Sequence, residues 1–374
     1  MKKRAWLIAA VFLMAVAAGL MFYGEKEQPP PPRVEVKFPR KMRGQDLDRM
    51  QKRRVLPEAP PPAATADASQ PKPIQRPRDP LLAALTASAR SSAVVIEANA
   101  IRHSPVGQLL IDCLSTNPRG NPLEKVKEKA GVDLLQDVDR VAVMDEGLVV
   151  SGNFGKAKFE ELQREGFRPT SYGDKATIYE PEPQQNADGT MKDRGEYVVS
   201  WGGQLIMVAN SAEAARAVVD QVEGRAPAKP SILNENQTYG EIYGVLSTKD
   251  LALMLPEMAG QRDLAQQLKD AADTVELHVD TSQDVGLVAD VKGPDADKIR
   301  DLGKSIGAAM SMARMQAQAN GEKEVAALLD LARVHPDDGK FKMEMAMPLQ
   351  VLEKQLGICR HRNQANSAAK PATP

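Results

Sequence analysis

The sequence predicts an α+β fold: an antiparallel sheet with helices on one face, assembled as duplicated ferredoxin-like (split βαβ) halves behind an N-terminal transmembrane helix and a disordered linker. Three observations predict it. A unit of strand, tight turn, strand and amphipathic helix recurs between about residues 93 and 357, a proline-rich segment precedes it, and an uncharged apolar run opens the chain. The boundaries that follow are 1–24 for the membrane helix, 25–80 for the tether, 81–232 and 233–358 for the two halves, and 359–374 for a polar, disordered tail.

The opening run is the plainest element. Lys2, Lys3 and Arg4 precede an uncharged stretch from Ala5 to Gly24, about the 20 residues a helix needs to cross the hydrocarbon layer. Trp6 and Tyr23 stand near its ends, where amphipathic rings favour the headgroup region. A cleaved signal peptide with Ala15-Val16-Ala17 at the cleavage site is the alternative. Leu20, Met21 and Phe22 carry the apolar stretch past that site, which favours an uncleaved anchor. The basic leading edge places the N-terminus in the cytoplasm and the rest outside, in the periplasm or an equivalent extracytoplasmic space. Arg33, Lys37, Arg40, Lys41 and Arg43 lie further along on the other side, and a strict charge count there points the opposite way.

From Glu25 to Pro80 no helical or strand period is sustained, and 13 of the 27 prolines fall there. Proline at this density fixes φ, removes backbone donors and favours extended polyproline conformation. Residues 33–54 hold nine basic and three acidic side chains. Arg40, Lys41, Arg43, Lys52, Arg53 and Arg54 are therefore candidates for contact with anionic lipid or an acidic polymer; a solvated, self-repelling spacer is the simpler account, and contact with the acidic domain itself is a third.

In the repeated region, Arg140–Met144 and Gly147–Gly152 read as a hairpin followed by a helix at Lys156–Glu165. Glu196–Trp201, Gly202-Gly203 and Gln204–Ala209 form the next hairpin, its glycine pair supplying the positive φ that two-residue turns demand, and a helix follows at Ala212–Gln221. Asp273–Val279 and Gly286–Lys292 make the third, with a long helix from Asp295 and a break near Gly321. Strand and helix signals at Ala93–Asn99 with Val106–Leu114, and at Ile242–Ser247 with Leu264–Ala271, precede the first and third hairpins. Residues 181–195 read as a long loop. This hairpin–helix layout behind an anchor and a proline-rich linker resembles exported, membrane-anchored bacterial proteins of unknown function. The resemblance covers roughly residues 93–357 and brings no catalytic residues with it.

Charge separates the two parts. Residues 1–80 carry 16 Lys and Arg against 8 Asp and Glu, leaving 33 against 42 in the remainder. An acidic domain is repelled by nucleic acid and by anionic lipid, so neither is its expected ligand. Cys113 and Cys359 are too few for a disulfide scaffold or a four-cysteine zinc site. Outside the cytoplasm they are candidates for one disulfide; two separate small apolar side chains is the alternative.

Motifs that name a chemistry are missing from the sequence. His103, His278, His335 and His361 have no second ligand at zinc-hydrolase spacing. Gly152-Asn-Phe-Gly155-Lys156 lacks the glycine spacing and the hydroxyl residue of a phosphate loop, and reads as a strand–helix turn. Asp137 with Asp139, and Asp145 with Glu146, read as turn and capping residues. Phe341, Met343, Met345 and Met347 alternate with Lys340, Lys342, Glu344 and Ala346, so the apolar set shares one face of a strand. A core-facing edge strand filled with methionine is the simplest account. A partner surface is the functional one, and Cu(I) is a remote third.

The expectation is thus a non-enzymatic, single-pass protein of the cytoplasmic membrane whose extracytoplasmic head binds another envelope protein, with no metal, no cofactor and no nucleic acid. A carboxylate-dependent hydrolase and a wall-polymer or small-ligand binding module are the alternatives.

Overall fold

The computed structural model describes residues 43–54, 78–85, 92–115, 122–145, 147–182, 184–185, 191–192, 196–227, 230–248, 261–337 and 339–353. The expected membrane helix, most of the tether and the tail from 359 lie outside these residues. Among the described residues no helix is long and apolar enough to cross a membrane.

In chain order the elements are α1 (Gly44–Arg53), α2 (Pro80–Ala84), β1 (Ala93–Ile96), α3 (Ala98–Arg102), α4 (Pro105–Ser115), α5 (Pro122–Ala130), β2 (Val138–Met144), β3 (Gly147–Gly152), α6 (Glu160–Arg164), β4 (Phe167–Tyr172), β5 (Ala176–Pro181), β6 (Gln184–Gln185), β7 (Met191–Lys192), β8 (Tyr197–Trp201), β9 (Leu205–Ala209) and α7 (Ala212–Glu223). There follow β10 (Ile242–Ser247), α8 (Gln261–Ala271), β11 (Thr274–Asp280), β12 (Val285–Lys292), α9 (Ala296–Ala319), α10 (Lys323–Asp330), β13 (Ala332–Asp337) and β14 (Lys340–Met347). The protein is mixed α+β, with extensive antiparallel sheet, and the chain divides into two compact units. One holds residues 42–95 and 125–238; the other holds 96–124 and the chain from 239 onward. Residues 96–124 therefore cluster with the second unit, whereas the sequence reading put them in the first half. A strand–helix signal is local, and which unit it joins is not.

The first unit orders its strands β1-β2-β3-β9-β8-β5-β4. The β8–β9 hairpin turns through Gly202 (φ 56) and Gly203 (φ 66), as its glycine pair predicts. The Ser211 hydroxyl caps α7 by accepting from the Ala214 backbone N–H at 3.1 Å, Gly224 closes it in the left-handed conformation, and Ala215, Val219 and Val222 form its buried side. Strands β4 and β5 are not anticipated by the sequence reading. Strand β4 is an outer strand, exposed along most of its length and carrying Pro169, so it lacks the alternation by which strands are recognised. The expected loop at 181–195 contains the small β6–β7 pair, and the expected helix at 156–165 is formed only as the short α6.

The second unit orders its strands β10-β11-β12-β14-β13. Neighbours β10, β11 and β12 follow chain order, so these strands are not interleaved as in a split βαβ arrangement. Strand β14 is paired on both sides, with β12 and β13. It is therefore an interior strand; the edge belongs to β13, which carries Pro336.

The two faces of the sheet within this unit differ in chemistry. Val275 pairs with Val291 and Val291 with Phe341, while Leu277 pairs with Ala289 and Ala289 with Met343. The pleat puts this apolar set on one side, and α9 packs there. Ile299, Leu302, Gly303 and Ala317 are the buried residues of α9. Gly303 lies so close to the strand that a Cβ there would sit 3.0 Å from the Phe341 Cβ. Asp295 caps the helix, accepting from the backbone N–H groups of Asp297 (3.0 Å) and Lys298 (3.1 Å). Gly321 (φ 78) follows its end.

This contact sets a measurable expectation. Phe341→Ala lowers unfolding stability by about 3–5 kcal/mol in denaturant titration, and Gly303→Val lowers it by about 1–3 kcal/mol through overpacking. An unchanged midpoint in both variants would show that α9 is not seated on β14.

Candidate functional site

The residues singled out in the sequence do not converge. Phe341 and Met347 are buried, the latter in a cluster with Val106 and Leu352, and Met343 and Met345 are half-buried. Alternation on an interior strand under α9 makes this set core, so it presents no continuous partner surface. Arg40 and Lys41 lie outside the described residues. Arg43 instead caps a helix not foreseen in the tether: its backbone N–H donates to the Asp46 carboxylate at 2.9 Å, and its guanidinium Nε donates to the same oxygen at 3.1 Å. Arg49 also pairs with Asp46. Arg54 pairs with Glu235 at 2.8 Å, and the Thr238 hydroxyl lies 3.4 Å from the Met50 sulfur. Residues 43–54 are thus a docked helix and not free spacer. Lys52 remains exposed on α1, and Arg53 is half-buried. Cys113 sits in α4, but its side chain, and all of Cys359, lie outside the described residues.

The sheet face of the second unit opposite α9 carries the main polar constellation. In register across it run Tyr243, His278, Val288, Glu344 and Arg333, and beside them Glu276, Asp290, Lys342 and His335. Glu276 receives Lys292 Nζ at 2.7 Å on one oxygen and lies 3.0 Å from His278 Nε2 on the other. His278 Nδ1 lies 3.2 Å from the Tyr239 carbonyl oxygen, and the Tyr239 ring stacks on the imidazole at 3.7 Å and 9°. The imidazole is 0% exposed. Both of its nitrogens are engaged and its face is covered, so His278 has no free nitrogen with which to take a proton from a ligand. His335 Nε2 lies 3.6 Å from Glu344, a pair at the edge of the same face.

Two further carboxylates are buried beside this face. Glu97 accepts from the Tyr243 hydroxyl at 2.8 Å, and Glu241 accepts from the Thr281 backbone N–H at 2.8 Å. The Glu97 backbone N–H donates to the Glu241 carbonyl at 2.7 Å, so the two residues hold β10 against the start of α3. Buried carboxylates need such donors, and neither Glu was singled out from sequence: a glutamate at a strand end carries no sign of its burial. In the first unit, Arg140 and Asp79 form a buried two-bonded pair at 2.6 and 2.9 Å. Asp79 also caps α2 by accepting from the Leu81 N–H at 3.0 Å. Glu223, at the end of α7, accepts from Trp201 Nε1 at 3.1 Å and from the backbone N–H groups of Asp174 and Lys175, which ties down the β4–β5 turn. Among the described residues no group of three or more His, Cys, Asp and Glu side chains is placed to hold a metal ion.

One surface is not explained by internal bonding. The large hydrophobic side chains left exposed among the described residues are Leu47, Met312 (63%) and Met315 (61%). The two methionines share α9, on the side away from its sheet.

Burial of the Tyr239 phenol pushes its pKa up to about 12, with the negative charges of Glu276 and Asp290 adding to the effect. A folded-state value above the unfolded one, about 10, means the native state keeps its proton longer. This contribution is complete below about pH 10 and is lost as the pH rises through the folded value. Urea midpoints measured between pH 9 and 12 are expected to fall, and Tyr239→Phe is expected to flatten that fall. In the other unit, Asp79→Ala removes two hydrogen bonds from the buried Arg140 guanidinium and costs about 3–5 kcal/mol; a loss under about 1 kcal/mol, the range of exposed pairs, would show the pair to be solvated.

Comparison with protein-family models, with curated proteins and with solved structures finds no match to this chain.

Proposed function

We propose that the chain is a membrane-anchored, non-enzymatic interaction protein of the cell envelope, whose folded head works outside the cytoplasm and binds protein through the outward side of α9. The observation that carries the reading is the exposure of Met312 and Met315 on a helix whose other side is already packed. Methionine is enriched and charge depleted at protein-binding surfaces, and an adaptable thioether side chain suits a contact between surfaces. Placement rests on the sequence, on Lys2-Lys3-Arg4 ahead of the apolar Ala5–Gly24 run and on the 13 prolines of the tether. Pro169 on β4 and Pro336 on β13 disfavour strand addition at those two edges. We also infer that the two units descend from one duplicated β-α-β-β-α module; β10, α8, β11, β12 and α9 keep that order.

A photo-crosslinking amino acid at position 312 of the full-length chain in intact cells tests the reading. Reproducible protein adducts in the membrane fraction, missing when the probe is moved to Thr170 on β4, are expected. A chain that fractionates as cytosolic, or position 312 without protein adducts, overturns it.

A further inference from the structure

The proline-rich segment is fastened to the first unit at two points, which sets how much of it separates the head from the membrane. We propose that α1 is a strap that shortens the tether: docked, it leaves residues 25–42 between the anchor and the fold, and released, it leaves 25–77. This rests on the membrane-anchored placement above and adds to it the working range of the head.

Helix α1 has ten residues, and a helix that short is marginal in water by itself. It forms against the turn at 234–238. Arg54 pairs with Glu235 at 2.8 Å, and the Met50 sulfur lies 3.4 Å from the Thr238 hydroxyl. Residues 46, 50 and 54 recur at four-residue spacing and so share one side of the helix. Asp46 on that side is buried and bonded to Arg43 and Arg49. The receiving turn is held in shape by bonds of its own. The Asn234 backbone N–H donates to Gln237 Oε1 at 2.9 Å, the Thr238 hydroxyl donates to the Glu235 carbonyl at 2.7 Å, and Leu233 beside them is buried.

The second fastening is at 78–85. Arg78 donates to the Gln221 carbonyl at 3.4 Å, Asp79 makes its two bonds with Arg140, and Leu81, Ala84 and Leu85 are buried. Residues 42–95 and 125–238 form one compact unit, so the chain from 55 to 77 begins and ends on the same body. Those residues add nothing to the separation between head and membrane. What remains is 25–42, 18 residues, which span at most about 65 Å. With α1 released the connection is 25–77, 53 residues, which span at most about 190 Å. Docking of this one helix therefore changes the reach about threefold.

The two fastenings differ in strength. The Arg140–Asp79 pair is buried, whereas Arg54 and Glu235 are 38% and 54% exposed, the class of ion pair that contributes little and weakens with salt. Helix α1 is thus the end that lets go, while 78–85 stays in the core.

Single-molecule energy transfer reads the docking, with the full-length chain in liposomes and dyes click-coupled to non-canonical residues at positions 45 on α1 and 170 on β4, both exposed. One narrow distance is expected for the wild type. Met50→Asp with Arg54→Glu sets a charge beside Thr238 and a like charge against Glu235. It raises the ratio of released to docked chains at least about fivefold. Arg54→Glu with Glu235→Arg re-forms the pair in reverse and stays docked. A second transfer, from position 170 to acceptor lipids in the same liposomes, reads the reach and is expected to be stronger in the wild type than in the release variant. The melting temperature is the same in all three chains, because the buried residues of 78–85 are untouched. A broad distance between 45 and 170 in the wild type, a release variant that stays docked, a reversed pair that does not dock, or equal transfer to lipid from docked and released chains overturns the strap. A chain that does not enter the liposomes overturns the anchored placement and the strap with it; a chain that enters them with a broad distance overturns the strap and leaves the placement standing.

Discussion

The contact between Gly303 and Phe341 determines what the second unit can do. A glycine with its would-be Cβ only 3.0 Å from the Phe341 Cβ lets α9 lie directly on β14. Once that spot is fixed, the rotation of the whole helix is fixed, because side chains follow at set angles around the axis. Ile299 and Leu302 turn into the sheet, and Met312 and Met315 turn away from it. The surface proposed for binding is therefore a consequence of core packing on the other side of the same helix.

Several buried polar groups among the described residues bond to one another. On the sheet face away from α9, Glu276 is held between Lys292 and His278, and Tyr239 lies flat over the imidazole. Glu97 and Glu241 each accept a hydrogen bond from a side chain or backbone donor of neighbouring strands. A buried carboxylate that lost its donor would retain the cost of dehydration, so such groups specify a register as much as they stabilise it. In the other unit, Asp79 joins a helix cap to a buried Arg140 pair, which brings the end of the proline-rich segment into the fold. Each of these groups has an internal partner among the described residues, and Glu97, Tyr243, His278 and Glu276 adjoin one another through theirs.

Regular local signals translated well. The Gly202-Gly203 turn, the hairpins around residues 145 and 283, the helix starts at Ala212 and near Asp295 and the break at Gly321 are all found where the residue types place them. Signals that depend on environment translated poorly. Strand β4 was missed because its outer position removes the need for alternation and tolerates Pro169. The methionine strand reads as an edge in the sequence because β13, which covers it, is mostly exposed and interrupted by proline. Helix α1 was hidden in a basic, proline-flanked segment, and it depends on Arg43, Asp46 and Glu235, one of them far away in sequence.

The amino-acid order alone determined most of the element types, the hairpin turns, and the charge contrast between the N-terminal segment and the rest. These follow from periodicity, from backbone preferences of glycine and proline, and from composition, all of which act over a few residues. Only the tertiary structure decided that α9 is seated on β14 through Gly303, that β14 lies inside, that residues 96–124 join the second unit, and that Glu97, Glu241 and His278 are buried. Those depend on which distant segments come together, and burial is a property of neighbours that a residue's own identity does not carry.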